Sequence, residues 1–340
     1  MVSFSYQVTA TAEFFGKMLA NLCLHPMLRS RQGNKSGNMT YLFFVLGLVA
    51  LFFGGEFLVR GASAIARAFR LSPMVIGLTV VGFGTSAPEL LVSVQAALAG
   101  QPAIAIGNVL GSNVSNILLI LGVAAAMAPL AITPSRLWRD FAFMLSATAL
   151  VWWMLSGGIV SRLDGVLLLA GLVAFIGTAL LTGKSEPLFE PHPMPQWQAW
   201  GLTLAGFVLL VIGAHYLVDS ATKIARAFGL SEAVIGLTIV AVGTSLPELA
   251  TSIIATIRRQ TDIAVGNVVG SNIFNLFGIL GTTAVITPIP ADPRFSSHDM
   301  LWVAGASVAL VALSFSLKGL PRLAGAGLLA GYAAFVLLMA

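Results

Sequence analysis

The chain has 340 residues, of which 57% are hydrophobic and 9% charged, with a mean hydropathy of +0.93 and a net charge of +5. A soluble domain carries about 25% charged residues, and no single core of this length buries so much apolar surface, so the class is a polytopic membrane protein covered by lipid. The positive charge then reads as Lys and Arg gathered in cytoplasmic loops rather than as a nucleic-acid surface. The lone Cys23 excludes an intramolecular disulfide and argues against a thiolate metal site.

Residues 1–38 stand apart, with Lys17, Arg29, Arg31 and Lys35 among polar stretches. Two readings stay open. One is a targeting segment, although the apolar run Met18–Leu24 is short and no small-residue cleavage site follows. The other is an over-called start with Met39 as the true beginning. The segment is set aside as an N-terminal extension, either disordered or not native.

From Tyr41 onward apolar segments recur, and about 20 residues suffice for a spanning helix. Ten spans are predicted, at 41–60, 72–99, 103–128, 137–156 and 162–182, then 198–219, 231–258, 262–287, 297–315 and 321–340. The second and seventh are long and interrupted by polar residues, which predicts irregular helices. A short link, Gly183–Gln196, carries Pro187, Pro191, Pro193 and Pro195. The expected organisation is a first five-helix repeat over 41–182, a linker over 183–197 and a second repeat over 198–340.

The two halves repeat one another. Residues 71–122 align with 230–281 at an offset of 159 (248 − 89), and 29 of these 52 positions are identical. An odd number of spans per copy makes the second copy enter the membrane from the opposite side. Such inverted repeats are common in secondary transporters, with the substrate site near the midplane where the copies meet.

Loop charges give an orientation. With both termini outside, the inner loops hold nine basic residues: Arg67, Arg70, Arg136, Arg139, Lys184, Arg258, Arg259, Lys318 and Arg322. The outer loops hold four: Arg162, Lys223, Arg226 and Arg294. The positive-inside rule favours this arrangement in a cell (inner) membrane. Counting the four basic residues of the leading segment narrows the bias to nine against eight.

The repeated core reads Gly84-Thr85-Ser86-Ala87-Pro88-Glu89-Leu90 and Gly243-Thr244-Ser245-Leu246-Pro247-Glu248-Leu249. Each copy is followed by a second block, Gly107-Asn108-Val109-Leu110-Gly111-Ser112-Asn113-Val114-Ser115-Asn116 or Gly266-Asn267-Val268-Val269-Gly270-Ser271-Asn272-Ile273-Phe274-Asn275. A carboxylate at membrane depth is costly and marks a functional site by default. Glu89 and Glu248 are equivalent, and neither motif holds a Lys or Arg to neutralise them. Two facing carboxylates repel unless a proton or cation lies between them, and Ca2+ takes carboxylate, carbonyl and amide oxygens. Pro88 and Pro247 lack an N–H, which frees the carbonyls of Gly84 and Gly243.

Ser112 and Asn116 share a helix face, with Asn108 one turn earlier; Ser271, Asn275 and Asn267 repeat the stripe. Taken singly, the glycines read as helix packing and the Asn and Ser as interhelical hydrogen-bonding residues. Their recurrence around both glutamates favours a site. Glu56 and Arg60, and their counterparts His215 and Asp219, are spaced i, i+4 and are expected to pair within their own helices.

These paired blocks resemble the two alpha repeats of the Ca2+/cation antiporter superfamily, and within it the bacterial and archaeal Na+/Ca2+ exchangers. The resemblance covers residues 41–340 and implies an all-α fold of ten helices working by alternating access. It implies Thr85, Glu89, Thr244 and Glu248 as Ca2+ ligands. The Na+ sites would share both glutamates and add Ser86, Ser112, Ser245 and Ser271, with carbonyls near Gly82 and Ala241. Asn116 and Asn275 match the remaining polar position, and some relatives carry Asp where this chain has Asn275. K+-cotransporting relatives use an acidic residue there, so Asn275 argues against K+ dependence. The short central link departs from animal exchangers, and no Ca2+-sensing regulatory domain is expected.

The expected activity is Na+/Ca2+ antiport, with Ca2+ and Na+ competing for one set of oxygens while the first and sixth spans slide. The empty, doubly charged site resists that movement. The expected partners are these two ions and the lipid bilayer, with no cofactor and no nucleic acid. A Ca2+/H+ exchanger of the same superfamily is the alternative, and a passive cation channel is the alternative of another class. None of the four histidines forms a His-Glu-x-x-His metalloprotease helix, and no enzyme is expected.

Overall fold

The computed structural model describes residues 35–182, 194–228 and 243–339. The leading segment up to Asn34, residues 183–193 of the predicted linker, residues 229–242 and Ala340 lie outside the described residues. The described chain is helical, with four two-residue strands. Helix α1 is Lys35–Ala68. A bent pair follows, α2 (Pro73–Thr85) and α3 (Ala87–Leu98), at 44° to one another. Next come α4 (Pro102–Met127), α5 (Pro134–Ser156) and α6 (Arg162–Thr182). The second half supplies α7 (Gln196–Ala227), α8 (Leu246–Ile257), α9 (Thr261–Ile286), α10 (Phe295–Leu317) and α11 (Arg322–Met339).

Six of these helices are long and apolar enough to cross a membrane, or seven if the bent pair counts as one span. Ten were expected, and each shortfall has a reason. Helix α5 has 23 residues but carries Arg136, Arg139 and Asp140 in its first turns. Helix α8 and the apolar part of α11 are short, and the first part of the predicted span 231–258 is outside the described residues. In contrast, α1 has 34 residues and α7 has 32, well beyond 41–60 and 198–219. At 1.5 Å per residue α1 is about 50 Å long, more than a hydrocarbon core of about 30 Å, so it tilts or projects.

The burial gradient orders the layers. The apolar window of α9 is wholly buried and that of α4 is 78% buried, against 22–33% for α1, α6, α7 and α10. Helices α4 and α9 are therefore the centre, and α1, α6, α7 and α10 lie on the outside. That central layer is one continuous apolar cluster, from Ile106, Leu110 and Ile117 on α4 to Val265, Val269 and Leu276 on α9.

Packing joins one half to the other in matched pairs. Helices α1 and α7 run antiparallel along glycines. A Cβ on Gly47 would meet Gly213 O at 2.9 Å, and one on Gly206 would meet Gly54 O at 2.7 Å. These two contacts are equivalent under the 159-residue offset. The strands behave alike: β1 (Leu130–Ala131) pairs antiparallel with β4 (Gly319–Leu320), and β2 (Ile159–Val160) with β3 (Ile289–Pro290). Near the centre, Gly270 lets α9 lie against the backbone of α2, because a Cβ there would collide with Leu78 O.

Candidate cation site

Both repeat motifs start a helix at the same place. Ser86 (φ −85°, ψ 5°) ends α2 and is the N-cap of α3, with Pro88 in its first turn. Ser245 (φ −87°, ψ 8°) is the N-cap of α8, with Pro247 in its first turn. Proline tolerates the first turn because its missing N–H has no intrahelical acceptor there. Glu89 and Glu248 thus sit at the third position of a helix N-terminus, where backbone dipoles favour an anion.

Ser-x-x-Glu at a helix start usually closes a local capping box. Neither serine makes a side-chain bond to its own helix. Instead Ser86 Oγ donates to Glu248 Oε1 at 2.9 Å, and Ser245 Oγ donates to Glu89 Oε1 at 3.3 Å. The two halves exchange capping partners, and this exchange brings both glutamates together. Each glutamate is 1% exposed. The Thr85 hydroxyl lies against Glu248, and that of Thr244 against Glu89.

The second blocks brace this centre. Asn108 Nδ2 donates to Glu89 O (3.1 Å) and Ser93 Oγ (2.9 Å). Asn267 Nδ2 donates to Glu248 O (3.3 Å) and Ser252 Oγ (3.1 Å). Thr85 Oγ1 also lies 3.1 Å from Asn267 Oδ1. Ser271 Oγ donates to Gly82 O at 3.4 Å, tying α9 to α2. Its twin Ser112 turns back to Asn108 O on its own helix, and the carbonyl that matches Gly82, on Ala241, lies outside the described residues. Asn116 Nδ2 donates to Asn272 Oδ1 at 3.1 Å. Asn275 is buried, and neither of its amide atoms has a partner among the described residues. A π-helical stretch takes in the last two residues of each Asn motif, at Ser115–Leu121 and Phe274–Ile279, a feature frequent at functional sites.

Of the residues expected at the site, Glu89, Glu248, Thr85, Thr244, Ser86, Ser245, Ser271 and Gly82 are linked here. Ser112, Asn116 and Asn275 lie buried on the adjoining turns of α4 and α9. Ser93, Ser252, Asn108 and Asn267 were not among the expected ligands. Their signal was identity in both copies. Glu89 Oε2, Glu248 Oε2 and Asn116 Oδ1 are buried acceptors without a hydrogen-bond partner among the described residues. Unpartnered buried carboxylate oxygens are strongly disfavoured unless a cation or proton meets them. The donor set is hard oxygen throughout, which suits Na+ and Ca2+ rather than softer metals.

A cavity of about 650 Å3 separates α3 from α7 and reaches the site's edge at Pro88 and Thr244; Gln95, His215 and Asp219 also line it. Of the two local pairings expected, one is extended by a partner from the other half and one is replaced. Glu56 does lie 3.8 Å from Arg60, but its carboxylate takes both Nε and Nη2 of Arg258 from the other half. Asp219 pairs with Lys223 at 2.7 Å rather than with His215.

Two buried carboxylates among hydroxyl, amide and carbonyl oxygens, at the meeting of two matched halves of a multi-pass helical membrane protein, define a carrier of cations. The chain belongs to the sodium/calcium exchanger protein family, whose pattern matches it twice, over residues 39–181 and 198–340. It is 40% identical over 292 residues to the putative antiporter CaxA of Alkalimonas amylolytica, covering 83% of this chain and 92% of that protein. It is 31% identical to the sodium/calcium exchanger MaX1 of Methanosarcina acetivorans, covering 88% and 98%. A solved structure of the sodium-calcium exchanger NCX_Mj, soaked with zero Na+ and Ca2+, superposes with a TM-score of 0.79 at 33% identity, covering 88% of this chain and 99% of that one. The protein is accordingly a membrane-embedded cation antiporter.

Proposed function

We propose that this antiporter exchanges Na+ for Ca2+ by alternating access, without K+, through one set of oxygens used in turn by both ions. The observation that carries the reading is the reciprocal bonding of Ser86 to Glu248 and Ser245 to Glu89. It gathers two carboxylates with neutral hydroxyls from both halves. A divalent ion neutralises the carboxylate pair. Monovalent ions need the additional neutral oxygens of Ser86, Ser112, Ser245 and Ser271, with the carbonyls of Gly82 and Ala241. Thr85, Glu89, Thr244 and Glu248 are assigned to Ca2+. Asn116 and Asn275 complete the ring, and the uncharged Asn275 is the basis for K+ independence.

The architecture proposed with it is ten helices in two inverted repeats, 41–182 and 198–340, joined by a linker at 183–197. The antiparallel, offset-matched contacts of Gly47 with Gly213 and Gly206 with Gly54 support this, as does the matched pairing of strands. A twofold axis that makes equivalent helices antiparallel lies in the membrane plane. The excess of basic residues in one set of loops favours both termini outside a cell (inner) membrane.

Radiolabelled Ca2+ uptake into proteoliposomes loaded with Na+ or choline, at equal pH on both sides, tests the reading. Uptake that needs internal Na+ supports it. Uptake that needs only a pH gradient assigns Ca2+/H+ exchange to the same site, and uptake without any counter-ion assigns a channel.

A further inference from the structure

We propose that Glu56 and Arg258 form a releasable latch that holds one access side of the site shut, and that the other half lacks its equivalent. The inference rests on the alternating-access part of the reading above. Glu56, midway along α1, receives two N–H groups from Arg258 at the turn between α8 and α9. Their side chains are only 12% and 25% exposed, so the pair is held away from bulk water, where charge-assisted two-pronged bonds are strong. Further along the same face, Ser63 Oγ lies 2.9 Å from Gln260 Oε1 in that turn. The turn is itself fixed by Arg258 N→Ile254 O (2.9 Å) and Gln260 N→Ala255 O (2.8 Å). Beside the pair, Gly55 lets α1 lie flush on α8, since a Cβ there would meet Ile254 Cγ1 at 3.0 Å.

The matching interface, α7 on α3, is built differently. Adding 159 to positions 56 and 60 gives His215 and Asp219, and subtracting it from 258 gives Ala99. An alanine cannot donate to a carboxylate, and Asp219 is bonded to Lys223 on its own helix at 2.7 Å. There the two helices are parted by the cavity of about 650 Å3, which His215 and Asp219 line. So one of two equivalent seams is closed and carries a cross-half ion pair, and the other is open and carries none among the described residues.

Arg60 makes the latch releasable. It stands one turn from Glu56, 3.8 Å away on the same helix. When α1 leaves α8, Glu56 keeps a cationic neighbour, which limits the penalty of breaking a partly buried pair.

Val92 and Thr251 are equivalent positions on the two seams. Val92 lines the cavity, and Thr251 is 0% exposed with no hydrogen-bond partner among the described residues. Each is changed to cysteine in a Cys23→Ser chain, and its reaction rate with a soluble maleimide is measured in open membrane sheets. The parent reacts at Val92→Cys and is protected at Thr251→Cys. Glu56→Gln and Arg258→Gln are expected to raise the Thr251→Cys rate about tenfold, a shift of about 1.4 kcal/mol, and to slow Val92→Cys. The exchanged pair Glu56→Arg with Arg258→Glu is expected to restore protection. Arg258→Lys, which keeps the charge but not the two-pronged contact, gives an intermediate rate. A Thr251→Cys that stays protected in Arg258→Gln and Arg258→Lys alike overturns the latch, as does an exchanged pair as reactive as the single changes. The labelling needs no Na+ coupling, so a chain that fails the flux test and passes this one keeps the latch and loses only the ion assignment.

Discussion

Ser86 is the N-cap of α3, yet its hydroxyl bonds the carboxylate of Glu248, 162 positions away, at 2.9 Å. A residue that ordinarily closes its own helix end is spent on the other half of the molecule. The twin bond from Ser245 to Glu89 is longer, at 3.3 Å. A single geometry thus fixes both helix starts and the place where two buried carboxylates meet.

Replacing either serine is therefore expected to act on Na+ more than on Ca2+. A hydrogen bond to a charged group contributes about 1.5–3 kcal/mol, so Ser86→Ala should raise the half-saturating Na+ concentration by about tenfold or more. Ser245→Ala, losing the longer bond, should raise it less. Na+-dependence curves of Ca2+ counterflow read both, and equal shifts for the two variants contradict the ranking.

Glu89→Gln and Glu248→Gln should each abolish exchange while leaving the fold. A buried glutamine has one oxygen and no charge, so a divalent ion loses half of its neutralisation. Flux should fall to the protein-free background, and the melting temperature in detergent without Ca2+ should hold or rise, because a costly buried charge is gone. Retained exchange in either variant contradicts the site.

How much of this the sequence carried depends on whether a feature was repeated. The motifs around Glu89 and Glu248 were legible because each polar position recurs 159 residues later. Ser93 and Ser252 recur as well, but nothing local says that Asn108 and Asn267 reach back to them. Features without a twin were legible only in part. Glu56 and Arg60 look like a self-contained i, i+4 pair, and only the packing of α1 on α8 brings Arg258 to Glu56. The first span is expected at 41–60, and the helix runs on to Ala68. A helix covers the span expected at 137–156, and the adjacent Arg139 and Asp140, 2.5 Å apart, lower its apolar density.

The glycine seam between α1 and α7 gives a stability prediction with an internal control. A Cβ on Gly206 would collide with Leu58 N, a backbone atom that cannot swing aside. Gly206→Ala should cost about 1–3 kcal/mol and lower the melting temperature. Gly201→Ala lies on the same helix with nothing within 4 Å and should stabilise by about 0.5–1 kcal/mol. Thermal unfolding in detergent checks both, and equal effects would show that the close approach is not a constraint.

Asn275 tests the K+ assignment. Its two amide atoms are buried without partners among the described residues. The parent should transport Ca2+ equally well in K+ and in choline. Asn275→Asp places a third carboxylate in the oxygen ring, and K+ should then stimulate uptake. K+ stimulation of the parent contradicts the assignment.

The central claim is that one pair of carboxylates serves both ions. Equilibrium Ca2+ binding to the purified protein, measured at stepped Na+ concentrations, tests it most directly. Na+ is expected to weaken Ca2+ binding competitively, with unchanged capacity, and Glu248→Gln is expected to remove binding at every Na+ concentration. Ca2+ binding that is indifferent to Na+, or that survives in Glu248→Gln, would contradict it.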